Sequence, residues 1–248
     1  MAITALTNAK LYVAQFDLSG DHNQLALDVG VQELIATVFG DTAERVRGGL
    51  GLIELTGQGF VSFGTGNVHE ALRANINVAD VPVTIAAEGG DDGEYAEFFK
   101  ARIAQYRLGA PVGQQLPFTV AASAQGQLPI QGTILGTGAK TATANGTGRQ
   151  FTAPTATKSV FAALHVLSVS GTTPTLDVVI TSDDNSGFTS ATTRLTFAQK
   201  TAVGSEFLTA AGPFAGETWW RAQWTIGGTG TPTFSVVIVF GIADNASA

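Results

Sequence analysis

Apolar and polar positions alternate along most of the chain. Lys10-Leu-Tyr-Val-Ala-Gln-Phe-Asp17 and Gln24-Leu-Ala-Leu-Asp-Val-Gly-Val31 repeat with period two, which predicts strands with one face turned inward. The turn formers of Asp17-Leu-Ser-Gly-Asp-His-Asn23 separate them. A third strand is predicted over Leu50–Thr56, after Gly40–Gly49, which reads as a polar and mobile connection. Val81–Ala87 is a fourth, with Pro82 placed as an edge strand allows. Strands over Leu116–Ala122 and Leu128–Leu135 complete this part.

One stretch carries another period. Tyr95, Phe99, Ile103 and Tyr106 fall at i, i+4, i+8 and i+11, the spacing of a helical stripe, with Phe98 beside it. Asp91 and Glu94 form a capping-box pattern, Arg102 and Arg107 suit the last turns, and Gly109 suits the C-terminal cap. The spacing predicts a helix from about Gly93 to Leu108, its aromatic stripe packed on the sheet.

Beyond Ala153 no helical period occurs, and an all-β domain is expected to about Ala243. It contains an internal echo: Thr173-Pro-Thr-Leu-Asp-Val-Val-Ile180 returns as Thr231-Pro-Thr-Phe-Ser-Val-Val-Ile238. Each copy places a turn before an alternating strand and follows a candidate opening strand, Leu164–Val169 or Trp219–Ile226. Two related hairpins in a β-sandwich would give this pattern. Between the parts runs Gly136-Thr-Gly-Ala-Lys-Thr-Ala-Thr-Ala-Asn-Gly-Thr-Gly148, whose side chains are too small and polar to build a core. The expected organisation is therefore a domain at 1–138, a Gly/Thr/Ala-rich linker at 139–152 and a sandwich at 153–248.

Charge sharpens this division. Residues 1–138 hold 7 Lys and Arg against 14 Asp and Glu, whereas residues 139–248 hold 6 against 6, so the net −7 sits in the first part. Charged residues make up only 13 % of the 248, about half the usual share. A large neutral surface is easier to explain if other subunits cover it, although Thr, Ser, Gly and Asn also solvate a surface. There is no cysteine for a disulfide or a thiolate site. The N-terminal residues do not read as a signal peptide, and no apolar run approaches a membrane span. A soluble protein made in a cytoplasm is expected.

Candidate chemistry is sparse. His22, His69 and His165 lie in separate segments and read as a turn, a surface and a sandwich strand; His69-Glu70 lacks the second histidine of a zinc-protease helix. Gly57-Gln-Gly59, Gly64-Thr-Gly66 and Gly146-Thr-Gly148 complete no phosphate-binding fingerprint. Thr181-Ser-Asp-Asp-Asn-Ser-Gly187 has the oxygen density of a calcium loop but not its spacing; a hairpin turn accounts for it, with a cation at Asp183 and Asp184 as the alternative. Asp91, Asp92, Glu94 and Glu97 resemble an acidic metal site, but helix capping accounts for most of them. Trp220 and Trp224 share one strand face and Trp219 the other, a pattern for a core or an interface, with sugar stacking as the rival reading. Neither an enzyme nor a cofactor is expected.

Phe16-Asp-Leu-Ser-Gly20, Ala36-Thr-Val-Phe-Gly-Asp-Thr42, Leu55-Thr-Gly-Gln-Gly-Phe60 and the helix expected after Asp91 together resemble the tail tube proteins of long-tailed bacteriophages, over roughly residues 8–138. Leu164–Thr196, with Ser168-Val-Ser-Gly-Thr-Thr-Pro-Thr-Leu-Asp177 and Asp183-Asp-Asn-Ser-Gly-Phe188, resembles β-sandwich appendages of phage virion proteins. The resemblance implies a mainly β chain: a tail-tube-like sandwich or barrel with one flanking α-helix, then an all-β sandwich. It implies a structural virion protein, assembled in the host bacterial cytoplasm with other tail proteins. Its rings, six subunits each, would stack into a conduit through which DNA passes without specific binding. Asp41, Thr42, Glu44, Arg45 and Arg47 would lie in a loop between stacked rings. An acidic wall repels phosphate, so the acids of residues 1–138 are expected to line the bore and the neutral part to project outward. The alternatives are a head decoration protein, a tail-tip component, or a carbohydrate-binding module.

Overall fold

The computed structural model describes residues 8–245. The fold is almost wholly antiparallel β, with one α-helix among the described residues. The first half contains β1 (Lys10–Val13), β2 (Phe16–Asp17), β3 (His22–Ile35), β4 (Val46–Phe60), the helix α1 (Val68–Ala74), β5 (Val81–Ala86), β6 (Tyr95–Leu108) and β7 (Pro117–Ala124). The strands lie in the order β3-β4-β7-β6-β5-β1-β2. They enclose a core of Leu11, Val13, Leu18, Leu55, Val83, Phe99, Ile103 and Phe118, against which α1 sets Val68, Ala71 and Leu72.

The helix expected over Gly93–Leu108 is a strand. Residues 95, 99 and 103 are four apart, and four is a multiple of the strand period as well as one helical turn. The structure follows the even period: Phe99, Ala101 and Ile103 face one core, while Ala96 and Phe98 on the other side face a second. Both faces are covered, so the apolar positions are adjacent as well as alternating, and this mimics a helical stripe. A register shift between Ile103 and Gln105 brings Tyr106 opposite Val120, back onto the first core. The capping pair forms a turn instead: the Asp91 N–H donates to Glu94 Oε2 at 2.8 Å and the Glu94 N–H to the Asp91 carbonyl at 3.1 Å. Gly93 in that turn has φ +93°, where Cβ is unwelcome. The helix that does exist, α1, has seven residues, too few for a period to register in the sequence.

The second half is built on one ribbon. β11 (Lys158–Asp183) and β14 (Trp219–Asp244), 26 residues each, pair antiparallel from end to end. The echoed segments are therefore not two hairpins. The opening strand of each copy pairs with the alternating strand of the other: Leu164 lies opposite Ile238, and Leu176 opposite Ile226. Between Ser170 and Thr175 the register shifts, and the ribbon folds over on itself. Trp220 consequently stacks on Phe240, twenty residues later in the same strand, with ring centroids 4.7 Å apart. β12 (Thr192–Thr196) and β13 (Gly204–Ala211) flank β11 on the two layers. At the fold corner Thr173 and Thr231 both have φ +52° and both precede proline.

The two halves share one sheet. β8 (Ile130–Lys140) pairs with β6 on one side and β14 on the other. The Gly/Thr/Ala-rich residues 139–152 continue along β14, which pairs with β9 (Ala144–Asn145) and β10 (Arg149–Gln150). Small residues suit this path, because a Cβ on Gly146 would come within 2.7 Å of the Leu135 carbonyl oxygen. A third apolar cluster seals the seam, combining Tyr12, Ala96, Phe98, Ile130 and Ile134 with Phe161, Ala163, Val237 and Val239.

His165 is the buried polar group of that seam. Its Nδ1–H donates to the Ala14 carbonyl at 2.6 Å, and its Nε2 accepts from the Thr84 hydroxyl at 2.8 Å. Burial lowers its pKa to about 4 against the bond to Ala14, which raises it. The unfolded chain protonates this imidazole near 6.5, so stability is full above that pH and lost as pH falls towards 4. At about 1.4 kcal/mol per pH unit the loss reaches about 3 kcal/mol. His22, also lowered by burial, adds in the same direction. Thermal unfolding between pH 7 and 4.5 should show this decline, and His165→Gln, which offers one donor and one acceptor but does not titrate, should flatten most of it.

The corner threonines give a second test. A β-branched residue at positive φ costs roughly 1–2 kcal/mol, more than glycine's extra unfolded-state entropy. Thr173→Gly should therefore raise unfolding stability by about 0.5–1 kcal/mol, measured by urea denaturation.

Candidate assembly surface

β3 and β4 pair from His22–Gly59 out to Ile35–Val46, but β7 supports β4 only from Glu54 to Phe60. Leu55 and Ile53 are the last buried side chains on β4; beyond them the two strands have no third neighbour among the described residues. Residues 29–52 thus form a two-stranded arm open on both faces. Leu128, resting against Gly51, is the body's contact at its base. A lone two-stranded ribbon is marginal in water. This one also exposes Val29, Val31, Leu34, Ile35, Val38, Phe39, Val46, Leu50 and Leu52, with Ile35 at 74 % and Leu50 at 78 %. Together they present on the order of 1,000 Å² of apolar surface, above the few hundred typical of a soluble monomer and comparable with one side of a standard interface.

At the apex the normal order of burial is reversed. Asp41 accepts the Val38 N–H at 2.9 Å through Oδ2 and pairs with Arg45 at 2.9 Å through Oδ1. Its side chain is 9 % exposed, whereas Phe39 is wholly exposed. The Asp41 N–H returns to the Val38 carbonyl at 3.1 Å, and Gly40, at φ +97°, closes the turn. The Arg45 N–H donates to Thr37 Oγ1 at 3.0 Å. Side-chain hydrogen bonds therefore hold the turn while its aromatic apex touches water.

Of the five residues assigned to the inter-ring loop, the structure joins Asp41 and Arg45. Thr42 and Glu44 are exposed beside them, and Arg47 lies on β4 opposite Leu34. The expected polar connection Gly40–Gly49 is shorter than the sequence suggests, because β4 already begins at Val46 and the apex is pinned. Sequence reading missed Val38 and Phe39, although an apolar pair directly before Gly40-Asp-Thr was a visible signal.

The remaining candidates are engaged in structure. Trp220 is fully buried, with Phe214 edge-on at 5.9 Å and its Nε1–H on the Glu217 carbonyl. Trp224 is buried beneath Lys140, whose Nζ lies 4.4 Å from the ring centre, and donates to the Ala142 carbonyl. Trp219, on the opposite face, is half-buried. Stacking on a sugar would need the faces that Trp220 and Trp224 turn inward. The carboxylate of Asp183 accepts from the Asn185 amide and from the Ser190 N–H and Oγ–H, and so shapes the turn of residues 183–190. His22 packs edge-on to Phe118, and His69 Nδ1 meets the Tyr106 hydroxyl at 3.1 Å. Among the described residues no three His, Cys, Asp or Glu side chains gather as metal ligands would.

On the outer sheet face Asp28 stands opposite Glu54, and Arg102 follows two strands away opposite Ser123. The exposed charge of this face is mixed.

No protein family matches the chain, and no curated protein matches it. Several solved structures are similar in fold. The tail tube of SPP1 is 13 % identical with a TM-score of 0.41, covering 52 % of this chain and 78 % of its own. A chain of the native gene transfer agent virion is 7 % identical at 0.41, covering 51 % and 97 %. The SPP1 Dit protein, from a hub adsorption apparatus of phages infecting Gram-positive bacteria, is 12 % identical at 0.37, covering 95 % and 99 %.

Replacing the core tryptophan, Trp220→Ala, should cost about 3–5 kcal/mol in denaturant unfolding, as large-to-small core changes do. A loss below 1 kcal/mol would contradict its placement in the core.

Proposed function

We propose that this chain is a structural virion protein of a phage tail whose copies assemble into stacked rings forming the tail tube. The observation that carries the reading is the arm: a ribbon that buries almost nothing in its own subunit needs another subunit to cover it. The low charge content agrees with a surface largely hidden in an assembly. The long outer edge of β3 also has no partner strand among the described residues, and neighbouring sheets joined into a barrel would satisfy it. On this reading residues 1–138 form the ring domain and residues 153–248 an outward sandwich. Residues 139–152 join them along β14, and six copies make a ring. The acids of the first part, Asp28 and Glu54 among them, would face passing DNA and bind none of it. Other tail proteins would be the remaining partners, and assembly would take place in the host bacterial cytoplasm.

Replacing residues 36–45 with Asn-Gly removes the apex and leaves both cores intact. Negative-stain images of the purified wild-type chain should show hollow tubes or stacked rings; the shortened chain should keep its melting temperature within about 3 °C and remain dispersed. Dispersed wild-type particles at high concentration would refute the tube, and isolated unstacked rings would move the chain to the tail tip.

A further inference from the structure

The chain presents an exposed aromatic apex and, at another place, an open groove. The apex presents Phe39 on a turn already fixed by Asp41, so a partner would gain an aromatic anchor without having to order it. At the far side of the same core, α1 and the end of β6 form an open groove of about 570 Å³ lined by His69, Arg73, Ile76, Tyr106 and Leu108. Phe63 extends the aromatic wall, its ring 4.9 Å from His69. Ile76 and Leu108 are both partly exposed there and lack an apolar cover.

The geometry points to a specific occupant: Phe39 of a second copy of this chain, with Val38 beside it. The groove is open and wide enough to admit a phenyl ring with a neighbouring aliphatic side chain. Arg73 has no ion-pair partner among the described residues and lines the groove, where it can lie over an aromatic face. Glu44, likewise without an ion pair among the described residues, stands exposed at the apex and supplies the complementary charge. Phe39 is fully exposed in its own subunit, so the contact runs between copies. Anchor and groove are different surfaces, so the contact can repeat head to tail into a ring or a filament, which is the course the stacked-ring reading requires, whereas reciprocal exchange between two copies would close a dimer. This inference rests on the self-assembly reading above and assigns its receptor surface.

Because the chain has no cysteine, the contact can be trapped cleanly. Val38→Cys protein, which keeps Phe39, is mixed under mild oxidation with Ile76→Cys protein, or with Val203→Cys protein as the control at an exposed site on the second half. The 38–76 mixture should give disulfide-linked pairs at least tenfold faster than the 38–203 mixture. Arg73→Glu in the Ile76→Cys partner should slow the reaction several-fold, and Glu44→Arg in the Val38→Cys partner should restore it. Equal rates in both mixtures, or a predominance of 38–38 pairs, would overturn the inference. If the wild-type chain forms tubes while 38–76 pairs stay at the control rate, the groove assignment fails and the tube reading stands. If 38–76 pairs form quickly but no tube is seen, the assignment stands and the tube reading fails.

Discussion

β11 and β14 pair along 26 residues each, and the other parts of the fold attach to that ribbon. Folded at Thr173 and Thr231, it buries one face against itself, with Trp220 on Phe240 and Leu164, Val178 and Ile238 in the same core. Its outer face near Phe161, Val237 and Val239 then becomes a platform on which the first half rests. Long-range antiparallel pairing is the entropically expensive part of folding, since loops must close before contacts form. The apolar inner face and the small corner residues let one ladder supply both layers of a sandwich.

The seam follows from this arrangement. Phe98 and Ile130 meet Ala163 and Val237 across it, and β8 continues the ladder from one half to the other. His165 sits in this apolar layer because both of its nitrogens find partners on the first half, which removes the penalty of an unpaired buried polar group. The charge boundary in the sequence is therefore an electrostatic division laid over a mechanically continuous body.

The sequence conveyed the strand character of most segments, because a face in water beside a face in a core leaves a plain alternation. It misled at Tyr95–Leu108, where both faces are covered and four-residue spacing satisfies two periods. A pair such as Asp91 and Glu94 serves a turn as readily as a helix start, so the capping pattern could not arbitrate. The echo around Thr173 and Thr231 was legible as repetition. Its cross-pairing was not, since pairing partners lie from 36 (Asp183 and Trp219) to 86 residues apart (Lys158 and Asp244) and no local signal specifies them. The arm's polar apex was visible in Asp41 and Arg45. Its exposed apolar half, Val38 and Phe39, was hidden by the ordinary assumption that apolar residues beside a loop point inward.

The contrast between body and arm bears on assembly. The body is dense, with fully buried Phe98, Phe99, Phe118, Phe234 and Phe240, and can hold a surface in one geometry. The arm has few contacts of its own, so its opening free energy must lie near the bottom of the range found within one protein. Its apex is the exception, fixed by the Asp41 carboxylate. In the assembly proposed above, a rigid apex on a compliant stem would let the anchor reach the groove of a neighbouring copy despite small variations in spacing, and the anchor would lose little entropy on docking. A loop wholly disordered would forfeit that advantage, and a wholly rigid arm would demand perfect registry between subunits. Glycines at 30, 48, 49 and 51 weaken the stem's strands, whereas Gly40 at the apex sits in a turn held by the Asp41 carboxylate.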